Sequence, residues 1–405
     1  MYKYVDPTGV GVPILSWCNE PEMDAWVQAM NVSRMPNIFQ HFAWMADGHL
    51  GYGMPIGGVA ALKGAVCPNM VGVDIGCGMG AIQTDIPVEK MTREIRDKIV
   101  NIAHRRIPTG EGHSHKEEQI WIELGDFLLD VNPPWTDDHG SRLDAMNLGT
   151  LGGGNHFIEI QVSDAGMIWI MLHSGSRNMG QRVARYYHQL AKDLCKKWHT
   201  LLAVDDLAFL PVDTKEGQDY IRDMNFALKY AQESRDRMMK AMTYIVMDVI
   251  GSFNVTQTVN IHHNYAAQEY HMGHNVWVHR KGATSAKLGE VGIIPGACGN
   301  DSASYIVRGK GNPLSFMSCS HGAGRAMGRN DANNRLKKED CDQSMNGISF
   351  RGWQKPKARG KKKPTAEWDL AEASGAYKSI DSVMAAQSDL VDILVKLRPL
   401  ASIKG

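Results

Sequence analysis

Residues 71–80 read VGVDIGCGMG and place an aspartate and a cysteine three apart, Asp74 and Cys77, among small and apolar residues. A carboxylate enclosed by such a run is costly unless something compensates its charge. Asp-x-x-Cys spacing lets both side chains reach one metal ion. Taken alone, the stretch also reads as a β-strand through Val71, Val73 and Ile75 that ends in a glycine turn, with Cys77 a small core residue. Other polar side chains stand on similar turns: Asp47, His49, Asn155, His156, His173, His262, His263 and His321. A thiolate, carboxylates and imidazoles together suit zinc, manganese or a related divalent ion. Any one of these histidines reads as a turn residue bonded to backbone. Several at strand ends, beside Asp-x-x-Cys, point to a metal centre.

The run SCSHGAGR, residues 318–325, is different in kind. Glycines after His321 let backbone approach a ligand closely, and Arg325 can pair with a phosphate. The imidazole of His321 suits a general base, a metal ligand or a nucleophile. A histidine that attacks a phosphoryl centre needs metal beside it to neutralise charge.

The elements that must position these residues follow a recurring plan, an apolar strand ending in a polar, glycine-flanked turn. Residues 1–40 predict strand and turn, then a short helix around EPEMDAWVQAMNV, and residues 41–85 are glycine-rich and strand-like. Met91, Ile95, Ile99 and Ile102 recur at helical spacing, and EEQIWIELGDFLLDV reads as another helix. LGTLGGGNHFIEIQV and GMIWIMLHSGSRNMG each join a strand to a glycine turn, and residues 181–200 and 217–250 read as helices. VTQTVNIHHNY is a strand ending in two histidines. VWVHRKGATSA and SYIVRGKGN are further strand–turn units, and the last 26 residues read as a helix followed by a short strand-like tail. The informative turns run from residue 47 to the C-terminus, so dividing the chain would cut the site apart. The expectation is an α+β fold, one large domain over residues 1–405 with mixed β-sheets, surrounding helices and a metal site at strand ends.

Bulk composition narrows the partners. Lys+Arg and Asp+Glu both number 44, so a nucleic acid would have to be held by a local basic surface. No apolar run approaches the roughly 18 residues of a membrane span, and the N-terminus lacks a basic segment followed by a long apolar run. Seven scattered cysteines suit a reducing compartment, so the expectation is a cytoplasmic protein without a membrane partner.

The chain resembles the RtcB family of RNA ligases over essentially its whole length. MADGHLGYGMPIGGVA, VGVDIGCGMG, LGTLGGGNHFIEI, MLHSGSRNMG, HHNY, HRKGA, IIPG, SCSHGAGRAMGR, AYKSIDSVMAAQSDLV and the terminal IKG carry the resemblance, in that order. It implies a ligase that uses GTP and manganese to join RNA 2′,3′-cyclic phosphate or 3′-phosphate ends to 5′-hydroxyl ends, in RNA repair or tRNA splicing. In the family GMP is first carried on a histidine, then passed to the RNA 3′-phosphate and finally expelled by the 5′-hydroxyl. His321 matches that histidine. Asp74, Cys77, His156, His173 and His263 match the ligands of two manganese ions, with Cys77 the bridge. His263 is preferred over His262 because it directly precedes Asn264. Asn155, Glu159, Gly322, Ala323, Gly324, Tyr377 and Lys404 match nucleotide contacts, Tyr377 stacking on guanine and Lys404 reaching the base. Arg177 and Arg325 are the expected phosphate or RNA contacts. The substrate would be RNA with broken ends (tRNA, rRNA or mRNA) and the enzyme a monomer, with an archease-like activator as a further partner.

The chain departs from the family pattern in places. Ala297 and what reads as a small insertion in the 297–304 loop put one hydroxyl contact to the nucleotide in doubt, and Ala46 replaces a common proline. Residues 351–363 are more basic than the pattern and suit a phosphate-tracking surface, which Lys310, Arg325, Arg329, Arg335, Lys337 and Lys338 would extend. The competing readings are a metal-dependent cyclic phosphodiesterase and a non-catalytic RNA- or ribosome-binding protein on the same scaffold.

Overall fold

The structure is a computed structural model that describes residues 1–355 and 366–404. The basic run expected to track phosphate lies, from residue 356 onward, outside the described residues.

Two large sheets carry the α+β fold. The first has six strands in the order Tyr2–Tyr4, Ile14–Ser16, Ile38–Tyr52, Met54–Leu62, His274–Lys281 and Asn264–His271. The second has seven, in the order Val255–His262, Gly78–Pro87, Met167–Ser174, Phe157–Ser163, Val391–Lys404, Ser304–Gly309 and Val291–Ile294, all antiparallel to their neighbours. Two short pairs complete the pairing, and one of them joins Ala283–Ser285 to Ser318–Ser320.

The seven-stranded sheet packs under the 36-residue helix Lys215–Ile250. Met238, Met239, Met242, Ile245 and Val246 from that helix meet Ile82, Ile158, Ile170 and Leu172 from the strands. Earlier turns of the helix bury Tyr220, Met224, Ala227 and Tyr230 against the core around Trp44 and the helix Met179–Lys197. Thr214 caps the helix by accepting from the Gly217 N–H at 3.1 Å. Truncating one of these fully buried methionines to alanine is expected to cost roughly 2–5 kcal/mol.

Most predicted elements are present, among them helices Met23–Ser33 and Arg93–Arg106. Three differences matter. Residues 71–75 are not a strand: Pro68–Val71 is a short helix, Gly72 and Gly76 turn the chain at positive φ, and the strand starts at Gly78. A helix at Asp138–Asn147 had no clear apolar period in the sequence. The terminal tail is a 14-residue strand, Val391–Lys404, in the interior of the seven-stranded sheet.

Candidate active site

Strand register brings the expected donors together. Gly78 pairs with Ser174 on one side and His262 on the other, so Cys77, His173 and His263 fall at one end of adjacent strands. Phe157 pairs with His173, which brings His156 to the same end. His263 sits where the chain passes from the seven-stranded to the six-stranded sheet. Asp74 projects from the turn before Gly78. Gly175 makes room for it, since a Cβ there would lie 2.3 Å from Asp74 Oδ1.

Two donor groups share one thiol. Cys77, His173 and His263 form the first, and Asp74, Cys77 and His156 the second, the donor atoms within each lying inside 4.8 Å of one another. Cys77 Sγ is 3.1 Å from His173 Nε2 and 3.6 Å from His156 Nε2. His156 Nε2 is 3.3 Å from Asp74 Oδ2. The far ring nitrogens are already committed. His156 Nδ1 donates to the Leu151 carbonyl at 2.9 Å and His173 Nδ1 to the Asn155 carbonyl at 3.1 Å. Both Nε2 lone pairs therefore face the cluster, the tautomer that a ligating histidine needs.

Electrostatics agree with a cation there. Burial, with the His156 ring beside it, pushes His173 down to about 3, and burial drives His263 well below the ordinary imidazole range. Both rings are thus neutral donors at pH 7. Yet His173 Nε2 lies 3.3 Å from His263 Nε2, and His263 Nδ1 is buried without a partner. Without an ion, His263 must carry its proton on Nε2 and donate it to His173, leaving Nδ1 an orphaned acceptor; a shared cation would take both Nε2 lone pairs instead. Burial and the Asp74 charge raise the Cys77 thiol well above its usual range, a direction that a coordinated ion reverses by displacing the proton. Desolvation pushes Asp74 up, but the nearby His156 ring outweighs this and the carboxyl ends below its usual value.

His321 lies beside this cluster, on the turn after strand Ser318–Ser320, its ring centroid 4.8 Å from that of His263. Its Nδ1 is 2.6 Å from Asp47 Oδ2, which also accepts from the backbone N–H of His321 at 3.1 Å and of Gly322 at 3.3 Å. Asp47 is fully buried. An irregularity in the Ile38–Tyr52 strand between Trp44 and His49 turns it inward. Burial favours the neutral acid, but His321 outweighs it and holds the carboxyl below its usual range. With Nδ1–H donated to Asp47, Nε2 is left as the free lone pair of His321.

A cleft of about 380 Å³ opens over both groups. Asn155, Glu159, Gly322, Ala323, Gly324, Arg325, Tyr377 and Lys404 line it together with Ala297 and Cys298 of the variant loop. Lys404 reaches it because it pairs in register with Phe157, next to His156. Its Nζ donates to the Glu372 carbonyl at 3.0 Å. Burial raises the Glu159 carboxyl, which accepts from Gln161 Nε2 at 2.7 Å.

The two arginines are placed differently from a simple phosphate contact. The Arg325 guanidinium lines the cleft but is committed to Glu372 at 3.2 Å, the Ala371 carbonyl at 2.6 Å and the Met327 carbonyl at 3.0 Å, with the Tyr377 ring 5.0 Å away. Arg177 does not line the cleft. It sits at φ 53° with Nε donating to Thr150 Oγ1 at 3.1 Å, its charge felt by Asp74 and Cys77.

Asp47 was singled out only as one of the polar turn residues, its pairing with His321 going unseen, and Glu372, which gathers Arg325, Arg329 and the Tyr377 hydroxyl, was missed altogether. Asn264 also works on both sides, its amide donating to the Asp74 carbonyl at 3.0 Å and accepting from the Gly282 N–H at 2.7 Å. The HHNY run was the only signal for it.

A family model described as tRNA-splicing ligase RtcB matches residues 28–142 and 113–405. An RNA-splicing ligase RtcB of Escherichia coli (strain K12) is 37% identical over 413 residues, covering 98% of this chain and 96% of that protein. A tRNA-splicing ligase RtcB of Nanoarchaeum equitans is 31% identical over 453 residues, covering 94% and 91%. One of Thermococcus kodakarensis is 29% identical over 448 residues, covering 93% and 90%. With this extent of match, and with a buried thiol–imidazole cluster beside a carboxylate-held histidine, the chain belongs to the RtcB family.

Proposed function

We propose that this chain is an RNA ligase that joins a 2′,3′-cyclic phosphate or 3′-phosphate end to a 5′-hydroxyl end, using GTP and manganese, as one catalytic domain over residues 1–405. The observation that carries the reading is the Asp47–His321 pair beside the shared-thiol cluster. Asp47 fixes the His321 tautomer and leaves Nε2 free to attack the α-phosphorus of GTP, forming a nitrogen–phosphorus bond as pyrophosphate leaves. A 2′,3′-cyclic end is first opened by water, which breaks the P–O2′ bond and frees the 2′-hydroxyl, and an oxygen of the resulting 3′-phosphate then takes the GMP from Nε2. A phosphate monoester lacks a good leaving group, and GMP supplies one, so the 5′-hydroxyl closes the new phosphodiester as GMP departs.

Asp74, Cys77, His156, His173 and His263 are the proposed ligands of two manganese ions, with Cys77 shared. Bound ions would neutralise charge on the attacking and leaving oxygens. The nucleotide would lie in the arm lined by Asn155, Glu159, Gly322, Ala323, Gly324, Tyr377 and Lys404. Arg177 is proposed to act on phosphate through its field, whereas Arg325 holds Tyr377 and Glu372 in place. The broken RNA is of a tRNA, rRNA or mRNA kind, met in the cytoplasm by a monomer, with an archease-like protein as activator.

The test is guanylylation. The protein is incubated with α-labelled GTP and manganese, denatured, and scored for label beside His321→Ala. Label on the wild type that the variant lacks is the expected result. An unlabelled wild type that still opens a 2′,3′-cyclic phosphate would overturn the ligase reading in favour of a phosphodiesterase, and one that only binds RNA would favour the non-catalytic reading.

A further inference from the structure

Arg235 lies in the middle of helix Lys215–Ile250 and is only 1% exposed. Every bond it makes goes to a group next to the cluster or to its support, and none is to a carboxylate. Nη1 donates to the Gly76 carbonyl at 2.8 Å and to the Ser174 carbonyl at 3.0 Å. Nη2 donates to His262 Nδ1 at 3.0 Å, and Nε donates to Asn260 Oδ1 at 2.7 Å. Gly76 lies between Asp74 and Cys77, Ser174 follows His173, and His262 precedes His263. One rigid, planar fork therefore ties together the three chain segments that present four of the five proposed ligands. A buried cation without an anionic partner is expensive, and an apolar residue there would pack the helix against the sheet at less cost.

We infer that Arg235 is a positioning residue for the metal centre, holding the 74–77 turn and the strand ends at His173 and His263 at the spacing a pair of ions requires. The inference rests on reading those residues as metal ligands. The guanidinium fixes carbonyl positions on two strands and, by donating to His262 Nδ1, keeps that ring turned away from the cluster, where it would otherwise compete with His263. Lysine cannot replace it, because a single ammonium cannot span the four acceptors.

The experiment compares wild type, Arg235→Lys and Asn260→Ala as full-length proteins stripped of metal. Manganese alone is titrated by calorimetry, cobalt(II) alone is titrated by absorption at the thiolate-to-cobalt band, and folding is checked by thermal melting in chelator. Arg235→Lys keeps the charge and loses the fork, so it is expected to bind manganese roughly 10–100-fold more weakly, the usual loss when support behind a ligand is removed. Its cobalt band should shift, which general destabilisation would not produce in a protein that still melts cooperatively. Asn260→Ala removes one acceptor at the sheet edge and should weaken manganese binding by a smaller factor. A folded Arg235→Lys with wild-type manganese affinity and an unshifted cobalt band overturns the inference. If Arg235→Lys does not fold, the same wild-type values in Asn260→Ala overturn it. A wild type that binds neither metal overturns instead the reading of the cluster itself, so the two failures are distinguishable.

Discussion

A single Asp47 oxygen receives the His321 ring and two successive backbone N–H groups, so one buried carboxylate sets both the imidazole and the turn that carries it. Asp47→Asn keeps the size but offers either an amide oxygen or an amide NH₂ to Nδ1, and the wrong choice leaves the proton on Nε2. The expected result is label transfer from α-labelled GTP slowed by about 100-fold or more, with little loss of fold. Transfer at the wild-type rate would show that the carboxylate does not govern His321. At this scale the side chains that gather into the thiol–imidazole cluster were legible in the sequence because their chemistry is rare: thiol and imidazole on glycine turns have few other uses in concert. Asp47 stood out only as a polar residue on a turn, and its hold on His321 was not legible, because that partner is 274 residues away. Glu372 was hidden for the same reason, since its meaning lies in Arg325, Arg329 and Tyr377, none of which adjoins it.

Turns and strand pairs decide how firmly those side chains are held. Gly324 has φ +71°, and a Cβ there would lie 2.2 Å from the Asp47 carbonyl oxygen. Gly324→Ala should cost roughly 1–3 kcal/mol from backbone conformation alone, and relief of the clash would push Asp47 away from His321. Thermal melting and GTP labelling should therefore fall together, and a variant that melts lower but labels normally would separate the turn from the chemistry. Behind the 318–320 strand, Arg280 binds Glu269 at 2.7 and 3.1 Å and also holds Ser318 Oγ and the Phe316 carbonyl. Burial pushes Glu269 up, but His271 and Arg280 outweigh it and hold the carboxyl at about 2, below the ordinary 4.5. A depressed carboxyl stabilises the fold above its unfolded value and loses that contribution as pH falls from about 4.5 toward 2, here on the order of 3 kcal/mol. Glu269→Gln should melt below wild type at pH 7, and the gap should narrow on acidification. A gap constant from neutral to acid pH would contradict the ion-pair account. Helical periods made the Arg93–Arg106 and Lys215–Ile250 helices readable. The Val391–Lys404 strand was underestimated because its first half is largely exposed and lies close behind the helix Ile380–Ala386, although Val391, Ile393, Val395 and Leu397 alternate with Asp392, Lys396 and Arg398.

Sheet order was the least legible property, since the pairings join distant chain: Val391–Lys404 beside Phe157–Ser163, and the histidine at 263 where one sheet gives way to the other. The proposed metal donors cluster at one end of the seven-stranded sheet, whereas Asp47 belongs to the six-stranded sheet and His321 follows the short pair that ends in Ser320. The site therefore exists only when these parts are assembled. Ions held by the cluster would bind the folded chain and not the unfolded one, so they must stabilise it by mass action. At about a hundredfold excess over Kd the gain is about 2.7 kcal/mol for one site, enough to raise the thermal midpoint by roughly a few degrees in a chain of this length. Cys77→Ala removes the donor common to both groups, so its midpoint should not respond to manganese, and its GTP labelling should vanish with it. Asp74→Asn removes a donor from one group alone and should keep part of the rise. If Cys77→Ala gained as many degrees as the wild type, manganese would be acting elsewhere on the molecule, and the shared thiol would be no more than a buried cysteine between two histidines.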